Sequence, residues 1–238
     1  MLVTYSIIIP IKDEEHNILS LVNEIEPVMT ALNKPWELIF IDDGSKDKSF
    51  EILNKLRSDK PFLKLISFNR NYGQSSAFDA GFKRAQGDYI ITLDGDLQND
   101  PRDIPKLLEQ GSSYDMVCGW RHTRQDRISK RMTSKISNFI RSRLCKDQMH
   151  DTGCSLKIFK RESLNQIRLF HGMHRFFPAL FKMEGFSILE VKVNHRPRVG
   201  GKSKYHFFNR SIGPILDMFV VYWMRKKKLR YQVKEESK

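Results

Sequence analysis

Over its first hundred residues the chain alternates short, nearly unbroken apolar runs with segments of helical periodicity. The runs are "VTYSIIIP", "WELIFID", "FLKLISF" and "DYIITLD"; between them lie helix-like stretches at Glu15 to Leu32, Lys46 to Arg57 and Ser75 to Ala85. An apolar run without polar alternation suits a strand covered on both faces, and strands that alternate with helices join by crossovers into a parallel sheet. The order therefore predicts an α/β fold: a Rossmann-like, mostly parallel central sheet with helices on both faces. Ligands of such sheets bind at the carboxyl ends of the strands.

Those ends read "PIKDEEHN", "DDGSKD", "NRNYGQ" and "DGDLQND", so four strands deliver polar clusters to one edge. Asp94 and Asp96 form a D-x-D pair, with the Gln98 amide two residues on. A hard cation such as Mg²⁺ takes oxygen ligands and is commonly shared between one or two carboxylates and substrate phosphates. Such an ion neutralises charge developing on a departing diphosphate. Asp43 and Glu14 offer acceptors for a nucleobase N–H or ribose hydroxyls. The alternative is helix capping, by Ser45 or Asp43 at the second helix and by Asp13 or Glu14 at the first. Asp100 is expected to cap the helix that opens at Pro101. Neither GxGxxG nor GxxxxGK[ST] occurs, so neither the dinucleotide fingerprint nor the P-loop supports the site.

Further along, "PRDIPKLLEQG" reads as a helix, and "YDMVCGW" and "SILEVKVNHRP" as strands. Ile128, Met132, Ile136, Phe139, Ile140 and Leu144 fall at helical spacing among basic residues, which suits either a core-packed or an interfacial helix. The segment "IGPILDMFVVYWM" is interrupted by Pro214 and Asp217 and falls short of the roughly 20 apolar residues that span a bilayer. With "RKKKLR" behind it, it suits a membrane surface. The 41 Lys+Arg against 28 Asp+Glu give a net charge of +13, which points to phosphates, anionic lipid or nucleic acid. Nucleic acid is not the expected partner, because no recognition motif accompanies the charge. Three scattered cysteines without a CxxC pair argue against a disulfide framework or zinc site and for a reducing compartment. "MLVTYSIIIPIKDEE" lacks the pattern of a signal peptide. The expectation is a soluble or membrane-surface protein, cytoplasmic and peripheral on the inner face of the membrane.

The blocks "IIIPIKDEEHNI", "IFIDDGSKDKS", "NRNYGQSSAFDAGFKRAQGDYIITLDGDLQNDP" and "DTGCSLKIFKRE" resemble the family 2 inverting glycosyltransferases. The likeness is to their dolichol-phosphate mannose synthase and bacterial polyprenyl-phosphate sugar transferase branch. It runs roughly from Val3 to Arg225, and "NHRPRVGGKSKY" adds to it. The resemblance implies a GT-A catalytic domain over residues 1–205, followed by a membrane-surface amphipathic segment and basic tail over 206–238. It implies a UDP- or GDP-linked sugar donor, a divalent cation (Mg²⁺ or Mn²⁺) and a polyprenyl phosphate acceptor.

By position, Pro10 and Glu14 line the nucleoside pocket with Asp43 at its base. Asp94, Asp96 and Gln98 hold metal and diphosphate, Asp94 touching the nucleotide and Asp96 counting as catalytic. Asp151 stands where the family has a base or acceptor-site carboxylate. Arg121, Arg127, Arg196, Arg198, Lys202 and Lys204 are the candidate phosphate and acceptor ligands. Two departures stand out: Lys12-Asp13 replaces the family's frequent Tyr-Asn, and the C-terminal transmembrane helices of many relatives are missing. A lipid phosphate, with a second pKa near about 6, needs cations more than a base, whereas a hydroxyl acceptor needs a base. A hydroxyl acceptor (a glycan or lipid A precursor) and nucleotidyl transfer stay open as alternatives. So do the sugar, the lipid length and the oligomeric state, a homo-oligomer included.

Overall fold

Seven strands form one sheet in the order β3-β2-β1-β4-β6-β5-β7 in the computed structural model, which describes residues 2–122, 143–145, 147–197 and 212–229. They are β1 (Tyr5–Ile11), β2 (Trp36–Asp42), β3 (Leu63–Ser67), β4 (Tyr89–Thr92), β5 (Met116–Arg121), β6 (Lys157–Lys160) and β7 (Ile188–Val193). Neighbours run parallel except at β6, which is antiparallel to both β4 and β5. The chain steps outward from β1 to β3 and then returns to the far side of β1 as β4. That reversal of order opens a crevice at the carboxyl ends of β1 and β4, where ligands of open α/β sheets bind.

The helices are α1 (Ile18–Ala31), α2 (Ser49–Asp59), α3 (Gln74–Arg84), α4 (Ile104–Gly111), the single turn α5 (Arg161–Leu164), α6 (Phe177–Glu184) and α7 (Ile212–Lys227). The strand pleat sends alternate residues to opposite faces. Ile7, Ile9, Leu38 and Phe40 pack against Leu21, Val22 and Ile25 of α1, Leu53 of α2 and Leu107 of α4. Ile8, Ile39, Ile41 and Phe159 face the other way, toward Phe78 and Phe82 of α3, Phe177 and Phe181 of α6, and Met218 and Val221 of α7. On that side Phe82, Phe159, Phe177 and Phe181 meet in tilted or edge-on pairs at 5.2 to 5.9 Å, the geometry aromatic quadrupoles favour.

The alternation of the first hundred residues becomes β1 to β4 and α1 to α3, as expected from the sequence. Three elements were not foreseen, the single turn α5 among them. β6 is four residues long with a lysine at each end, too short for any periodicity to register. The α6 segment is apolar nearly throughout, so it lacks an amphipathic signature. Most of the helix expected over 128–144 lies outside the described residues.

At the amino-terminal edge of the sheet, buried Glu37 accepts from Ser6 Oγ (2.5 Å) and the Gln86 N–H (2.7 Å) and pairs with Lys64. At the carboxyl edge, Asp100 caps the 3₁₀ turn Pro101–Asp103 as expected, accepting from Arg102 N–H at 3.1 Å. Its carboxylate also pairs with the guanidinium groups of Arg102 and Arg196, each at 2.7 Å. Arg196 reaches on to Glu24 of α1 at 2.6 Å, and Asp103 accepts the Asn194 N–H at 2.7 Å. The segment after β7 is thus clasped to the β4–α4 loop and to α1.

Burial alone would raise the Asp100 carboxyl, but hydrogen bonds from Arg102 and Arg196 outweigh it and hold the group down to about 2. A carboxylate whose folded pKa is depressed stabilises the fold above its unfolded pKa, and that contribution disappears as the pH falls through the folded value. Asp100→Asn is therefore expected to lower stability at neutral pH by about 1 kcal/mol, after discounting for solvent screening. It should also flatten acid destabilisation between about pH 4 and pH 2, as read by denaturant melts across that range.

Candidate functional site

The site is assembled by loops that bind one another more than themselves. In the loop after β1, the Asp13 and Glu14 N–H groups donate to Ser45 Oγ (2.8 Å) and Ser49 Oγ (2.9 Å), and the Glu15 N–H to Asp47 Oδ2 (3.1 Å). In return, Asp13 and Glu15 accept the N–H groups of Lys46 (2.7 Å) and Lys48 (3.0 Å). The alternative of helix capping by these residues is not what the structure shows. The residues before α1 and α2 are Asn17 and Lys48, neither with a side-chain cap bond, and the loop carboxylates and hydroxyls join the two loops instead.

Below this junction is a cavity of about 700 Å³ whose lining includes Lys12, Asp42, Ser45, Phe50, Ser67 and Arg70. Its wall is tight at Gly44, which has a φ of +67° and where a Cβ would lie 2.5 Å from the Arg70 backbone. The two carboxylates of "DDGS" divide their work. Asp42 lines the cavity and accepts from Ser45 N–H (2.9 Å) and Ser67 Oγ (3.1 Å). Asp43 accepts the Tyr72 and Gly73 N–H groups at 2.6 and 2.9 Å and so fixes the turn into α3.

The D-x-D pair sits at the crevice between β1 and β4. Gly95 lets it approach the first loop: a Cβ there would lie 2.8 Å from the Ile11 side chain and 3.7 Å from Glu14 Cγ. Pro10, Glu14, Asp94 and Asp96 thus share one corner. Asp94 accepts from Gln74 Nε2 at 2.9 Å, and Asp96 accepts the Gln98 N–H at 3.2 Å. Burial and then the charge of Asp96 push the Asp94 carboxyl up, while Ser155, Lys157 and Arg121 pull it the other way. Two like charges held partly out of water are the donor set a divalent cation would relieve. The residues fit such an ion, although among the described residues no group of three His, Cys, Asp or Glu side chains stands ready to cage one. A pair of carboxylates that leaves positions for substrate phosphates matches the usual habit of Mg²⁺.

The reversed strand β6 and its neighbour β5 supply the cations. Lys157 pairs with Thr92 across the antiparallel ladder, is buried, and donates to the Cys154 carbonyl. Arg121, at the end of β5, binds Asp151 through Nε (2.7 Å), Nη2 (2.9 Å) and its backbone N–H (3.2 Å). Burial opposes the charge on Arg121, but the Asp151 bonds more than offset it.

Beside them His174 meets Ser75 Oγ through Nδ1 at 2.9 Å, and Ser75 Oγ accepts the Gly172 N–H at 3.0 Å. Burial, helped by the charges of Arg175, Lys157 and His171, lowers His174 to about 3. It is therefore a neutral imidazole, hydrogen-bonded to the Ser75 hydroxyl.

Of the residues singled out from the sequence, Pro10, Glu14, Asp94, Asp96 and Gln98 converge at the crevice, with Asp43 one loop away. Asp151 and Arg121 are brought together as an ion pair. Arg196 is met by Glu24 and Asp100, so its charge is already engaged within the protein. Arg127, Arg198, Lys202 and Lys204 lie outside the described residues. Sequence reading passed over Gln74, Lys157 and His174. A lysine inside the apolar run "CSLKIF" was a legible signal for the second, whereas the other two depend on contacts distant in sequence.

A family model described as glycosyl transferase family 2 matches residues 6–168. The undecaprenyl-phosphate 4-deoxy-4-formamido-L-arabinose transferase of Pectobacterium atrosepticum is 39% identical over 204 residues, covering 85% of this chain and 62% of its own length. The dodecaprenyl-phosphate galacturonate synthase of Rhizobium johnstonii is 36% identical over 229 residues, covering 93% and 68% respectively. The chain thus spans under two thirds of the first relative. Among solved structures, the glucosyl-3-phosphoglycerate synthase of Mycobacterium tuberculosis with Mg²⁺ and UDP superposes at a TM-score of 0.68. It is 16% identical, over 93% of this chain and 79% of that one, which shows the fold alone. The match runs from β1 through the reversed strand β6 and encloses both halves of the crevice, so the chain belongs to glycosyl transferase family 2.

Proposed function

We propose that this protein transfers a sugar, with inversion, from a nucleotide-diphosphate sugar to a polyprenyl phosphate. The observation that carries the reading is the carboxylate pair Asp94 and Asp96 at the β1–β4 crevice, with Arg121 and Lys157 beside it. Relatives named for transfer to undecaprenyl and dodecaprenyl phosphate support the acceptor. A neighbour solved with Mn²⁺ and UDP-glucose supports a uridine donor and a divalent ion.

The nucleoside then occupies the corner formed by Pro10, Glu14, Asp42 and Asp43. Asp94, Asp96 and the Gln98 amide hold the cation, which when bound supplies neutralising charge for the departing diphosphate. An oxygen of the lipid phosphate, already ionised, attacks the anomeric carbon. The bond to the diphosphate breaks as the new C–O bond forms, and the leaving group keeps the electron pair. Arg121 is the described candidate for holding phosphate, and Arg127, Arg198, Lys202 and Lys204 complete the proposed set. Arg196, paired with Glu24 and Asp100, fixes the chain just after β7.

Residues 1–205 form the catalytic part in this reading, and 206–238 the membrane-surface part. No helix among the described residues is long and apolar enough to cross a membrane. α7 turns Met218 and Val221 into the core but leaves Leu216, Phe219 and Trp223 54 to 61% exposed, with Arg225, Lys226 and Lys227 in its last turn. An apolar–aromatic face ending in cations suits the headgroup region of an anionic leaflet, here the cytoplasmic one.

Asp94→Asn and Asp96→Asn should each lower turnover about a hundredfold or more and abolish the metal dependence of nucleoside diphosphate binding by calorimetry. With a short polyprenyl phosphate, the expected products are a nucleoside diphosphate and a lipid-linked sugar labile to mild acid. Pyrophosphate release would identify a nucleotidyltransferase, and an acid-stable product a hydroxyl acceptor. The full chain should float with anionic liposomes at low salt and be released by high salt, since each surface cation contributes about 1 kcal/mol. Phe219→Ser with Trp223→Ser should weaken that binding at least tenfold, and a protein that never floats would sink the membrane assignment.

A further inference from the structure

Asp151 is saturated. Its Oδ2 accepts the Arg121 Nε–H (2.7 Å) and backbone N–H (3.2 Å), and its Oδ1 accepts Arg121 Nη2–H (2.9 Å) and the Gly153 N–H (3.1 Å). An ionised carboxylate offers about four lone-pair sites, and these four donors occupy them. Both partners are withdrawn from water, with side-chain exposures of 11% for Arg121 and 6% for Asp151. A carboxylate in this state is poorly placed to take a proton from an acceptor but well placed to aim a guanidinium.

A second carboxylate sets the first. Glu190 lies on the edge strand β7, opposite Cys118 of β5, and its side chain is 10% exposed. Its oxygens accept the His150 N–H at 3.0 Å, the Asp151 N–H at 3.0 Å and His150 Nδ1 at 2.8 Å. The His150 ring is also stacked on Trp120 of β5, at 4.4 Å between centroids and 16° between planes. Lys192 of β7 lies 5.5 Å from the centroid of the Trp120 ring. The backbone of 150–151 is therefore fixed by hydrogen bonds from one strand and by ring stacking on the next.

We propose that Glu190 and Asp151 are successive positioning residues: Glu190 fixes the backbone of Asp151, and Asp151 orients Arg121 toward the acceptor phosphate. Two of the five N–H groups of the guanidinium are engaged by Asp151, and among the described residues nothing takes the other three. The assignment rests on the transfer reading above for the identity of the acceptor, but the link between the three residues stands on the geometry itself. It assigns Asp151 no part as a base.

The test is a double-mutant cycle on the full chain with Glu190→Ala, Asp151→Asn and their combination. Turnover of a short polyprenyl phosphate is measured at saturating donor, alongside nucleoside diphosphate binding with Mg²⁺. Each single variant should lower kcat/KM for the lipid phosphate about 10- to 100-fold, as losses of residues that orient a ligand group do. Nucleotide affinity should stay within about twofold, and the combination should be no worse than the larger single loss, because both act through Arg121. Asp151→Asn should keep the shape of the pH–rate profile.

Glu190→Gln, which conserves volume and an acceptor oxygen, should recover part of the loss and serves if the alanine variant does not fold. Additive losses, a folded Glu190→Ala of normal activity, or loss of a pH limb in Asp151→Asn would each overturn the proposal. Amide exchange at His150 and Asp151 reads the link without substrate, and it should accelerate in both Glu190 variants. Unchanged exchange defeats the positioning chain. Accelerated exchange in a protein that does not use lipid phosphate defeats the transfer reading alone.

Discussion

The pairing of β1 with β4 is the contact on which the rest depends. These strands are adjacent in space but separated by three crossovers in sequence, and the chain leaves them in opposite directions across the sheet. Their loops therefore diverge above a common seam, leaving room for a ligand that neither loop covers. The absence of a side chain at Gly95 then draws the D-x-D turn against Ile11 and Glu14. The hydrogen bonds between the 13–15 and 45–49 loops hold the opposite wall. A ligand meets surfaces already fixed, so little ordering entropy remains to oppose its binding.

Charge is arranged around that seam by the one strand that runs backwards. Had β6 been parallel, the "DTGC" segment before it would have emerged at the far edge of the sheet. Reversed, it places Asp151 and Lys157 beside the carboxyl ends of β4 and β5. An acidic pair and two buried cations are thereby held together.

Much of this was legible in the residues. The alternation of apolar runs gave strands and helices because fully buried parallel strands need no polar residues, and the polar clusters marked the edge they share. Asp94, Asp96 and Glu14 could be grouped because each follows a strand directly. The role of Arg196 could not be seen, since Glu24 lies on α1 and 172 residues away. Nor could the pairing of Asp151 with Arg121, 30 residues apart, because it depends on a reversed strand too short to announce itself. The choice between capping and other roles for Asp13, Glu14 and Ser45 was not legible for a related reason. A short polar side chain takes the nearest orphan N–H, and here the nearest belonged to the neighbouring loop.

The helix α7 has a consequence for how the molecule can be divided. Met218 and Val221 enter the same apolar cluster as Phe159, Phe177 and Phe181, and Lys228 pairs with Glu184 at the end of α6. The boundary proposed at residue 205 would therefore be one of task and not of folding. A chain cut there would uncover the floor of its own core, and the lost surface would be the lid of the layer that α3 and α6 share. The exposed stripe of the helix is also rigidly indexed to the sheet. Whatever plane receives Phe219 and Trp223 fixes the tilt of the whole molecule, and with it the height and heading of the carboxylate edge above that plane.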